Sequence, residues 1–438
     1  MRPAPSAAPA MVRPRTLPYS GLPRLLPDGG AHLDLAAHVR RHGPMPVPAD
    51  PAALIAEIGA AGLTGRGGAA FPSARKIAAV RAAGRDAVVV ANGAEGEPAS
   101  RKDATLLRRA PHLVLDGLQL AAAACGAGTA VLYVHAGQPD LLRRLDAAIA
   151  ARGDRLPVAL VEAPAGFLAG EETALVARLS GRPPRPADKQ HRVFERGVAG
   201  RPTLVQNVET LAHLALIARH GSGWFASVGT PEEPGSALFT VHPADGGSAV
   251  VEAPLGAPAG QLLRLDEQVQ AVLAGGYHGG WLSVAQARQL RLSNADLRPA
   301  GASVGAGVLA ALPVSACGLA EIARVVRYLA LESAGQCGPC LNGLPRIAAA
   351  LAVVARPRPA RAELADVSRW AGLVTGRGAC HHPDGTIRFV ASGLRVFRDE
   401  LAEHSRGRCT ASRRAAFLPL PAASEPLPAL AGDAPKWS

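Results

Sequence analysis

Aromatic side chains are scarce in this sequence, where Phe, Trp and Tyr make up 4% of 438 residues. A site that depends on stacked rings therefore has few candidates, and a ring missing from an expected position is conspicuous. The chain also lacks the interleaved basic and aromatic residues of a nucleic-acid-binding surface, although its formal net charge is +12. Because the basic residues are mostly scattered arginines, we expect no nucleic-acid partner, and the charge favours an acidic protein partner.

Cysteine is also sparse, since six cysteines in a chain of this length do not form a disulfide scaffold. Two of them occur as Cys337-Gly-Pro-Cys340, a spacing that favours metal or redox chemistry in a reducing compartment. We therefore expect a cytoplasmic protein. We interpret Cys125, Cys317 and Cys409 as buried free cysteines without a ligand role.

Long apolar runs are absent as well. The nearest one, at 304–320, is interrupted by glycines and by Pro313, so we expect no membrane-embedded segment. Residues 1–48 are rich in Pro and Arg and lack the apolar core of a secretory signal. We predict a disordered extension there and a disordered tail over the Pro/Ala-rich residues 406–438.

Glycine, by contrast, is concentrated in GLTGRGGAAFPSARK at 62–76, with four glycines in its first seven residues. Such a backbone can curl tightly and turn its N–H groups toward an anion. A helix beginning near Pro72 would direct its positive end to the same place, and Arg66, Arg75 and Lys76 add positive charge. The stretch fits neither GxxxxGK[ST] nor a clean GxGxxG, and it predicts either a phosphate site or a flexible surface turn.

The residues around this loop alternate between helix and strand patterns. Asp50-Pro51 begins a helix, and apolar runs at 87–91, 129–136 and 157–163 read as buried strands. Helical patterns at 111–125 and 139–152 separate these strands. The alternation predicts a parallel α/β domain over residues 49–235, with ligand-binding loops at the carboxyl ends of its strands.

The pattern changes twice further along the chain. Short strands with Gly, Pro and Asp turns predict a small β-rich domain at 236–315. Apolar residues at helical spacing predict a helical bundle at 316–405.

Four motifs follow one another in the first domain: GLTGRGGAAFPSARK (62–76), NGAEGEP (92–98), GEETAL (170–175) and GRPTLVQNVETL (200–211). In order and spacing they resemble the NADH-binding flavoprotein subunit of respiratory complex I, the F-subunit family of NADH-quinone oxidoreductases, and its soluble hydrogenase and formate dehydrogenase relatives. LFTVHPADGGSAVVEAPLG (238–256) is similar to the ubiquitin-like (SLBB-type, β-grasp) insert of that family. SAGQCGPC (333–340) and the later Cys380 are similar to its iron–sulfur bundle, so the resemblance covers about residues 50–405 and implies a divergent member.

The resemblance implies that the chain binds FMN. It assigns the phosphate to Gly65, Arg66, Gly67, Gly68 and Lys76. The other implied flavin positions are Asn92, Glu95, Gly170, Glu171, Glu172, Asn207 and Thr210. Two plainer interpretations stay open, namely that Asn207 only caps a helix and that the glutamate pair only complements a helix dipole.

The resemblance also implies an iron–sulfur cluster held by Cys337, Cys340 and Cys380. The family has a fourth cysteine where this chain has Ala334. Three thiolates leave a three-iron cluster, or a four-iron cluster completed by another ligand such as His381 or His382, as alternatives to an empty site.

A nicotinamide dinucleotide is the implied electron donor, with Phe71, Glu97, Phe167 and Lys189 at nucleotide positions. The family stacks adenine between two phenylalanines, and here those positions hold Ala79 and Arg192. Ala94 and Gln206 also replace the family's Asp and Asn. These departures favour weak use of NADH.

The sequence therefore predicts an FMN-dependent, NADH dehydrogenase-like oxidoreductase that passes electrons to iron–sulfur acceptors. One alternative is an adapter that exchanges electrons with a ferredoxin-like or other iron–sulfur protein without using NADH. The other is a degenerate scaffold protein that binds neither cofactor.

Overall fold

The fold is described here from a computed structural model that covers residues 19–47, 50–84, 86–188, 191–359, 361–412 and 416–421. Its strands are β1 Ala87–Gly93, β2 Ala127–His135, β3 Val158–Ala163, β4 Thr203–Asn207, β5 Ser236–His242, β6 Ala249–Pro254, β7 Val269–Ala274, β8 Gly280–Ser283 and β9 Val308–Pro313. The helices of the first half are α1 Leu35–His42, α2 Pro51–Ala60, α3 Ser73–Ala83, α4 Lys102–Arg109, α5 Pro111–Cys125, α6 Pro139–Ala150, α7 Glu172–Leu179 and α8 Val208–Ala226. Those of the second half are α9 Ala259–Leu262, α10 Val284–Gln289, α11 Asn294–Leu297, α12 Gly318–Leu331, α13 Leu344–Val354, α14 Arg361–Val374, α15 His382–Val396 and α16 Arg398–Ser405.

The first sheet is parallel, with strand order β3-β2-β1-β4. Its inner strand β1 is apolar and fully buried over Val88–Val90, as expected for a strand covered on both faces. Helices α5 and α8 pack beside it, and their apolar residues join its core. The predicted parallel α/β architecture is confirmed.

The strand order of the first sheet indicates where a ligand site lies. Strand β2 pairs with one side of β1 and β4 with the other, so the connections diverge at the carboxyl ends of β1 and β4. Ligands bind at such a divergence in open α/β sheets. Asn92 and Asn207 are register partners there.

The second sheet has five strands in the order β6-β5-β9-β7-β8. Strands β5 and β9 are parallel, and the other pairs are antiparallel. One face of it packs with α12, α13 and α15 through Trp281, Val325 and Phe389 in a shared core. The predicted helical C-terminal region is confirmed in α12–α16, and a single π-helical turn at Pro339–Gly343 precedes α13.

Both predicted disordered ends are wrong where the structure describes them. Leu25 and Leu26 are buried, the backbone N–H groups of Arg24 and Leu25 donate to Glu252, and α1 is capped by Asp34. These contacts fix residues 19–47, which the prediction placed in the extension. At the other end Leu418 is buried against α12. Residues 1–18, 48, 413–415 and 422–438 lie outside the described residues.

Among the described residues, no helix combines the length and the apolar character needed to cross a bilayer.

Candidate functional site

A cavity of about 800 Å³ lies at the carboxyl ends of β1 and β4. Most of the residues implicated by the sequence line it: Gly65, Arg66, Gly67, Phe71, Lys76, Asn92, Glu95, Glu97, Phe167, Gly170, Glu171, Glu172 and Asn207. Gly68 lines a small adjoining cavity. Thr210 is fully buried beneath the glycine loop, and Lys189 lies outside the described residues.

The glycine loop is held closed by its own backbone. The N–H of Gly65 donates to the carbonyl of Phe71 at 2.9 Å, and the N–H of Ser73 donates to Leu63 at 2.9 Å. Helix α3 begins at Ser73, as predicted, and Gly68 adopts a φ of 103° that favours glycine. The start of α3 therefore faces the cavity together with the loop.

Arg66 does not direct its charge into the cavity as the sequence suggested. Its guanidinium is buried and donates to Thr64, to the carbonyl of Pro234 at 3.3 Å and to that of Ser236 at 3.3 Å. Its backbone N–H donates to Thr210 Oγ1 at 2.8 Å. Burial lowers the pKa of Arg66 from its usual value. The side chain thus fastens the loop to the start of β5.

Lys76 is one of the cations of this stretch on the cavity wall, which Arg75 also lines. Its Nζ lies 2.6 Å from Glu172 Oε1 and 2.8 Å from the carbonyl of Val205 in β4. Glu171 caps α7 by accepting from the N–H groups of Thr173 and Ala174. One glutamate of the pair therefore positions a helix, and the other pairs with the cation.

The two asparagines at the strand ends hold the surrounding loops. Asn92 Nδ2 donates to the carbonyl of Gly170 at 2.9 Å, and its Oδ1 accepts from Ala94. Asn207 Oδ1 caps α8, and its Nδ2 donates to Asp103 Oδ2 at 2.7 Å. The capping interpretation of Asn207 therefore holds, while its side chain still lines the cavity.

Buried charges lie beneath these asparagines. Lys102 Nζ is 2.7 Å from Asp103 Oδ1 and 2.8 Å from Glu209 Oε2, and all three side chains are almost fully buried. Burial lowers the pKa of Lys102, but the two carboxylates outweigh it, so its pKa is raised overall. Lys102 and Asp103 were missed in the sequence, although the letters RKD directly follow the NGAEGEP motif and its Ala-Ser extension.

Two glutamates of the NGAEGEP loop are buried at the cavity. Burial and, to a lesser extent, nearby Asp103 raise the pKa of Glu95 to about 7, while Ser100 Oγ donates to Glu95. Burial likewise raises the pKa of Glu97 to about 7. Glu97 Oε2 accepts from the N–H of Tyr277 at 2.7 Å, so the second sheet reaches the cavity wall.

Two glycines allow the loops after β1 and β3 to pack backbone against backbone. A Cβ at Gly96 would collide with the carbonyl of Phe167, and one at Gly170 would collide with the carbonyl of Ala94. The two loops therefore form one wall, and side chains at either glycine would separate them.

The aromatic side chains that line the cavity differ from those that the sequence implied. Phe71 is half exposed, with the guanidinium of Arg75 5.7 Å from its ring centroid. Ala79 and Arg192 line the cavity, as their implied nucleotide positions require, and Phe194 lines it too. Phe194 was missed because the position where the family has a phenylalanine corresponds to Arg192, two residues earlier.

Phe167 connects the cavity to the helical region. Its ring centroid lies 4.7 Å from that of His278 and 5.6 Å from that of His382, and its N–H donates to Glu332. His382 Nδ1 is paired with His278 at 3.0 Å, and its Nε2 with the carbonyl of Leu329 at 2.8 Å. Both ring nitrogens of His382 are thus occupied, which excludes it as a cluster ligand in this arrangement.

The implied cluster cysteines lie together. Cys340 is hydrogen-bonded to Cys337 and interacts electrostatically with Cys380. Burial raises the pKa of the Cys340 thiol to about 12. The N–H of Gly335 also bonds to Cys340, so Ala334 lies beside the group. His381, the residue after Cys380, lines the cavity at the carboxyl ends of β1 and β4.

Cys337, Cys340 and Cys380 fit an iron–sulfur cluster in the chemistry of their donor atoms. Thiolates are the ligands that iron–sulfur clusters require. The adjacency of Cys380 and His381 places the cysteines next to the cavity.

Comparisons with known proteins agree in both halves of the chain. Residues 58–216 match the profile of the Nuo51 FMN-binding domain, and residues 320–404 match that of the NADH-ubiquinone oxidoreductase-F iron-sulfur binding region. The NADH-quinone oxidoreductase F subunit of Streptomyces coelicolor is 30% identical over 378 residues, which cover 82% of this chain and 84% of the relative. The second NADH-quinone oxidoreductase F subunit of Rhizobium meliloti is 28% identical over 367 residues, which cover 79% of this chain and 87% of the relative.

Solved structures are similar over most of the chain. The air-oxidized NAD+-reducing [NiFe]-hydrogenase matches with a TM-score of 0.76 and 30% identity, over 86% of this chain and 67% of that one. The H2-reduced form matches with a TM-score of 0.74 and 30% identity, over 81% of this chain. The chain spans 63% of the hydrogenase chain in that comparison.

Proposed function

Because the chain belongs to the family of NADH-quinone oxidoreductase F subunits, we propose that it is an FMN-dependent, NADH dehydrogenase-type flavoprotein. It transfers electrons from a nicotinamide dinucleotide to iron–sulfur acceptors. One observation carries this proposal: four motifs distant in the chain line a single cavity whose wall continues, through His381, to the cysteine group.

FMN fits this cavity through a cradle with little side-chain bulk. A Cβ at Gly67 would lie 3.3 Å from that of Asn207, so only glycine leaves the space free. The N–H groups of Gly65 and Arg66 already donate to Phe71 and Thr210, so Gly67, Gly68, the start of α3 and Lys76 present positive potential to a phosphate. Asn92, Glu95, Gly170, Glu171, Glu172, Asn207 and Thr210 shape the rest of the flavin site.

The chain's residues hold and surround the flavin, which when bound supplies two-electron acceptance from a nicotinamide and one-electron release. Lys76 stays on the wall because Glu172 and the Val205 carbonyl hold its ammonium group. The raised pKa of Glu95 favours its protonated form relative to an ordinary glutamate, so it can donate a hydrogen bond as well as accept one.

The dinucleotide occupies the outer part of the cavity, along Phe71, Glu97 and Phe167. Lys189, the fourth position that the resemblance implies, lies outside the described residues. Phe71 is the exposed ring available for stacking, and Arg192 offers a flat guanidinium that can stack or pair with phosphate. With Ala79 in place of a ring, we expect NADH to bind weakly.

Cys337, Cys340 and Cys380 hold an iron–sulfur cluster, either three-iron or four-iron with a further ligand. We also propose the domain limits 49–235, 236–315 and 316–405, with a β-grasp (SLBB-type) fold for the second. The partner is an iron–sulfur electron-transfer subunit of ferredoxin-like character in the cytoplasm, and the net charge of +12 favours an acidic one.

Anaerobic purification followed by flavin and iron analysis tests this function. We expect about one FMN per chain and flavin bleaching on addition of NADH. If reduced ferredoxin bleaches the flavin and neither NADH nor NADPH does, the result would support the adapter instead. Protein without flavin or iron after reconstitution would support the scaffold and overturn the proposal.

A further inference from the structure

A second group of metal-binding side chains lies away from the flavin cavity, at the start of α12 and the end of α16. Cys317, Glu400, His404 and Cys409 each offer one ligand atom, and these atoms all lie within 4.8 Å of one another. Among the described residues, they are the group whose ligand atoms converge this closely. None of them was assigned a role from the sequence.

The distances between these atoms are close to the edges of a metal tetrahedron. Cys317 Sγ lies 3.6 Å from His404 Nε2 and 4.0 Å from Glu400 Oε1, and the last two atoms are 2.9 Å apart. Ligands at ordinary zinc distances in a tetrahedron are separated by about 3.3–3.8 Å. Shifts of about half an ångström therefore bring Cys317 Sγ, Glu400 Oε1 and His404 Nε2 to these separations.

The donors converge from three separate segments, which a local ion pair would not require. Cys317 is the N-cap residue of α12, Glu400 and His404 are one turn apart on α16, and Cys409 follows that helix. Cys409 hydrogen-bonds to Cys317 and to Glu400. Cys317 and His404 are 5% and 1% exposed, so the group is enclosed on the side of the core.

Supporting contacts fix the ligands in place. Thr410 donates to Glu400 through both its backbone N–H and its hydroxyl group. The carbonyl of His404 accepts from the N–H groups of Arg358 and Gly407. Such contacts orient metal ligands and restrict their motion.

We propose that Cys317, Glu400, His404 and Cys409 form a structural zinc site. Thiolate, imidazole and carboxylate ligands in a closed tetrahedral set suit Zn²⁺, and two thiols lose their protons when it binds. Zn²⁺ then offsets two of the three negative charges that the two thiolates and the carboxylate bring together.

The site would anchor the C-terminal segment to the helical region. Beyond Cys409, the N–H groups of Phe417 and Leu418 donate to Glu321 of α12, and Arg324 donates to the carbonyl of Leu418. The metal would thus fix the start of a segment whose end already packs on the same helix.

Zinc analysis of the full chain, purified without a polyhistidine tag from zinc-supplemented cells, tests the proposal. We expect about one zinc per chain after gel filtration, and less than about a tenth of that in Cys409→Ser and His404→Gln. Cys125→Ser, which changes a buried cysteine of α5, is the matched control and should keep its zinc. Cys337→Ser should also keep it, which separates this metal from any at the proposed cluster.

Two further measurements keep the test independent of variant folding. Cobalt added to chelator-treated wild-type protein should give thiolate-to-cobalt absorption that Cys409→Ser lacks. Zinc removal should speed tryptic cleavage at the exposed Arg406 and Arg408 several-fold. No zinc in wild-type protein, equal zinc in all variants, or a Cys317–Cys409 disulfide found by mass spectrometry would overturn the proposal.

Discussion

At the scale of single residues, two neighbouring glycines of the loop have different reasons to be glycine. Gly68 has a φ of 103°, which side chains disfavour, whereas Gly67 has no positive φ and is limited by the nearby Asn207 Cβ. From the sequence alone, the glycines of the loop were treated alike. Backbone angles depend on the closed loop, so the letters alone do not distinguish the two.

Gly67→Val should therefore weaken flavin binding without unfolding the chain. The branched side chain would press on Asn207 and enter the phosphate space, and crowding of this kind costs about 1–3 kcal/mol, or roughly 5- to 150-fold in affinity. Flavin content after dialysis and the dissociation constant for added FMN measure the effect. Gly153→Val, where a Cβ meets no atom within 4 Å, is the control, and unchanged FMN affinity in Gly67→Val would show that the phosphate lies elsewhere.

Ala334→Cys should restore a fourth thiolate beside Cys340. Its neighbour Gly335 already bonds to Cys340, so a sulfur at 334 would be near the cluster. We expect reconstituted protein to gain iron and to change from a labile or three-iron EPR signal to that of a [4Fe–4S] centre. Ser333→Cys places the sulfur one residue away and should not do so, and an absence of iron in wild type and Ala334→Cys alike would argue against a cluster.

At the scale of elements, the sequence revealed those that are defined by a continuous pattern. Helix α5 spans the predicted 111–125, and β1 begins at the predicted Ala87, because apolar runs and a first-turn proline are local signals. The acceptors of Arg66 lie about 170 residues further along the chain, which no local pattern records. The ordered termini were missed for the same reason, since Arg24 and Leu418 are fixed by distant partners.

The candidate site divides in the same way. The motifs assigned Lys76, Asn92 and Glu97 to the site, and all three line one cavity. The capping roles of Glu171 and Asn207 could not be predicted in this way, because they depend on the direction in which each side chain points. Phe194 was missed because a ring two residues from the expected position breaks the spacing. Cys317 and Cys409, two of the four proposed zinc ligands, were interpreted as free cysteines, and no local pattern connects them across the 92 positions that separate them.

We expect helix α3 and the segment after residue 190 to determine together how well the proposed dinucleotide donor binds. Ala79 and Arg192 both line the cavity where rings are implied. We expect Ala79→Phe with Arg192→Phe to lower the KM for NADH by tens- to thousands-fold, because each aromatic contact with a base contributes about 1–3 kcal/mol. Stopped-flow flavin bleaching with NADH and NADPH measures it.

Ala78→Phe is the control on the same helix, because this exposed residue does not line the cavity. Rapid and saturable reduction of unaltered protein by micromolar NADH would contradict impaired donor binding and would indicate that Phe71 and Phe194 suffice.

At the scale of the whole molecule, Glu97 joins the first sheet to the second through the N–H of Tyr277. Burial raises its pKa from 4.5 to about 7, so the folded state binds a proton that the unfolded state releases between these values. The contribution of Glu97 to the free energy of unfolding is therefore most favourable below pH 4.5 and is lost as pH rises to about 7. A shift of this size corresponds to about 3 kcal/mol.

Glu97→Gln should remove this contribution. The stability of wild type relative to Glu97→Gln should fall by about 3 kcal/mol between pH 4.5 and 7 and then level off. Urea unfolding of the two proteins across this range provides the difference. The exposed Glu232→Gln is the control, and parallel wild-type and Glu97→Gln profiles would contradict a buried, raised carboxyl group.

The guanidinium of Arg66 also sets an order of events during synthesis. Its carbonyl acceptors belong to Pro234 and Ser236, which leave the ribosome long after the loop itself. A nascent chain that ends before them has the glycine motif but leaves this buried cation without those acceptors. We therefore expect flavin loading to follow emergence of the second sheet, so that cells starved of flavin accumulate finished apoprotein rather than stalled fragments.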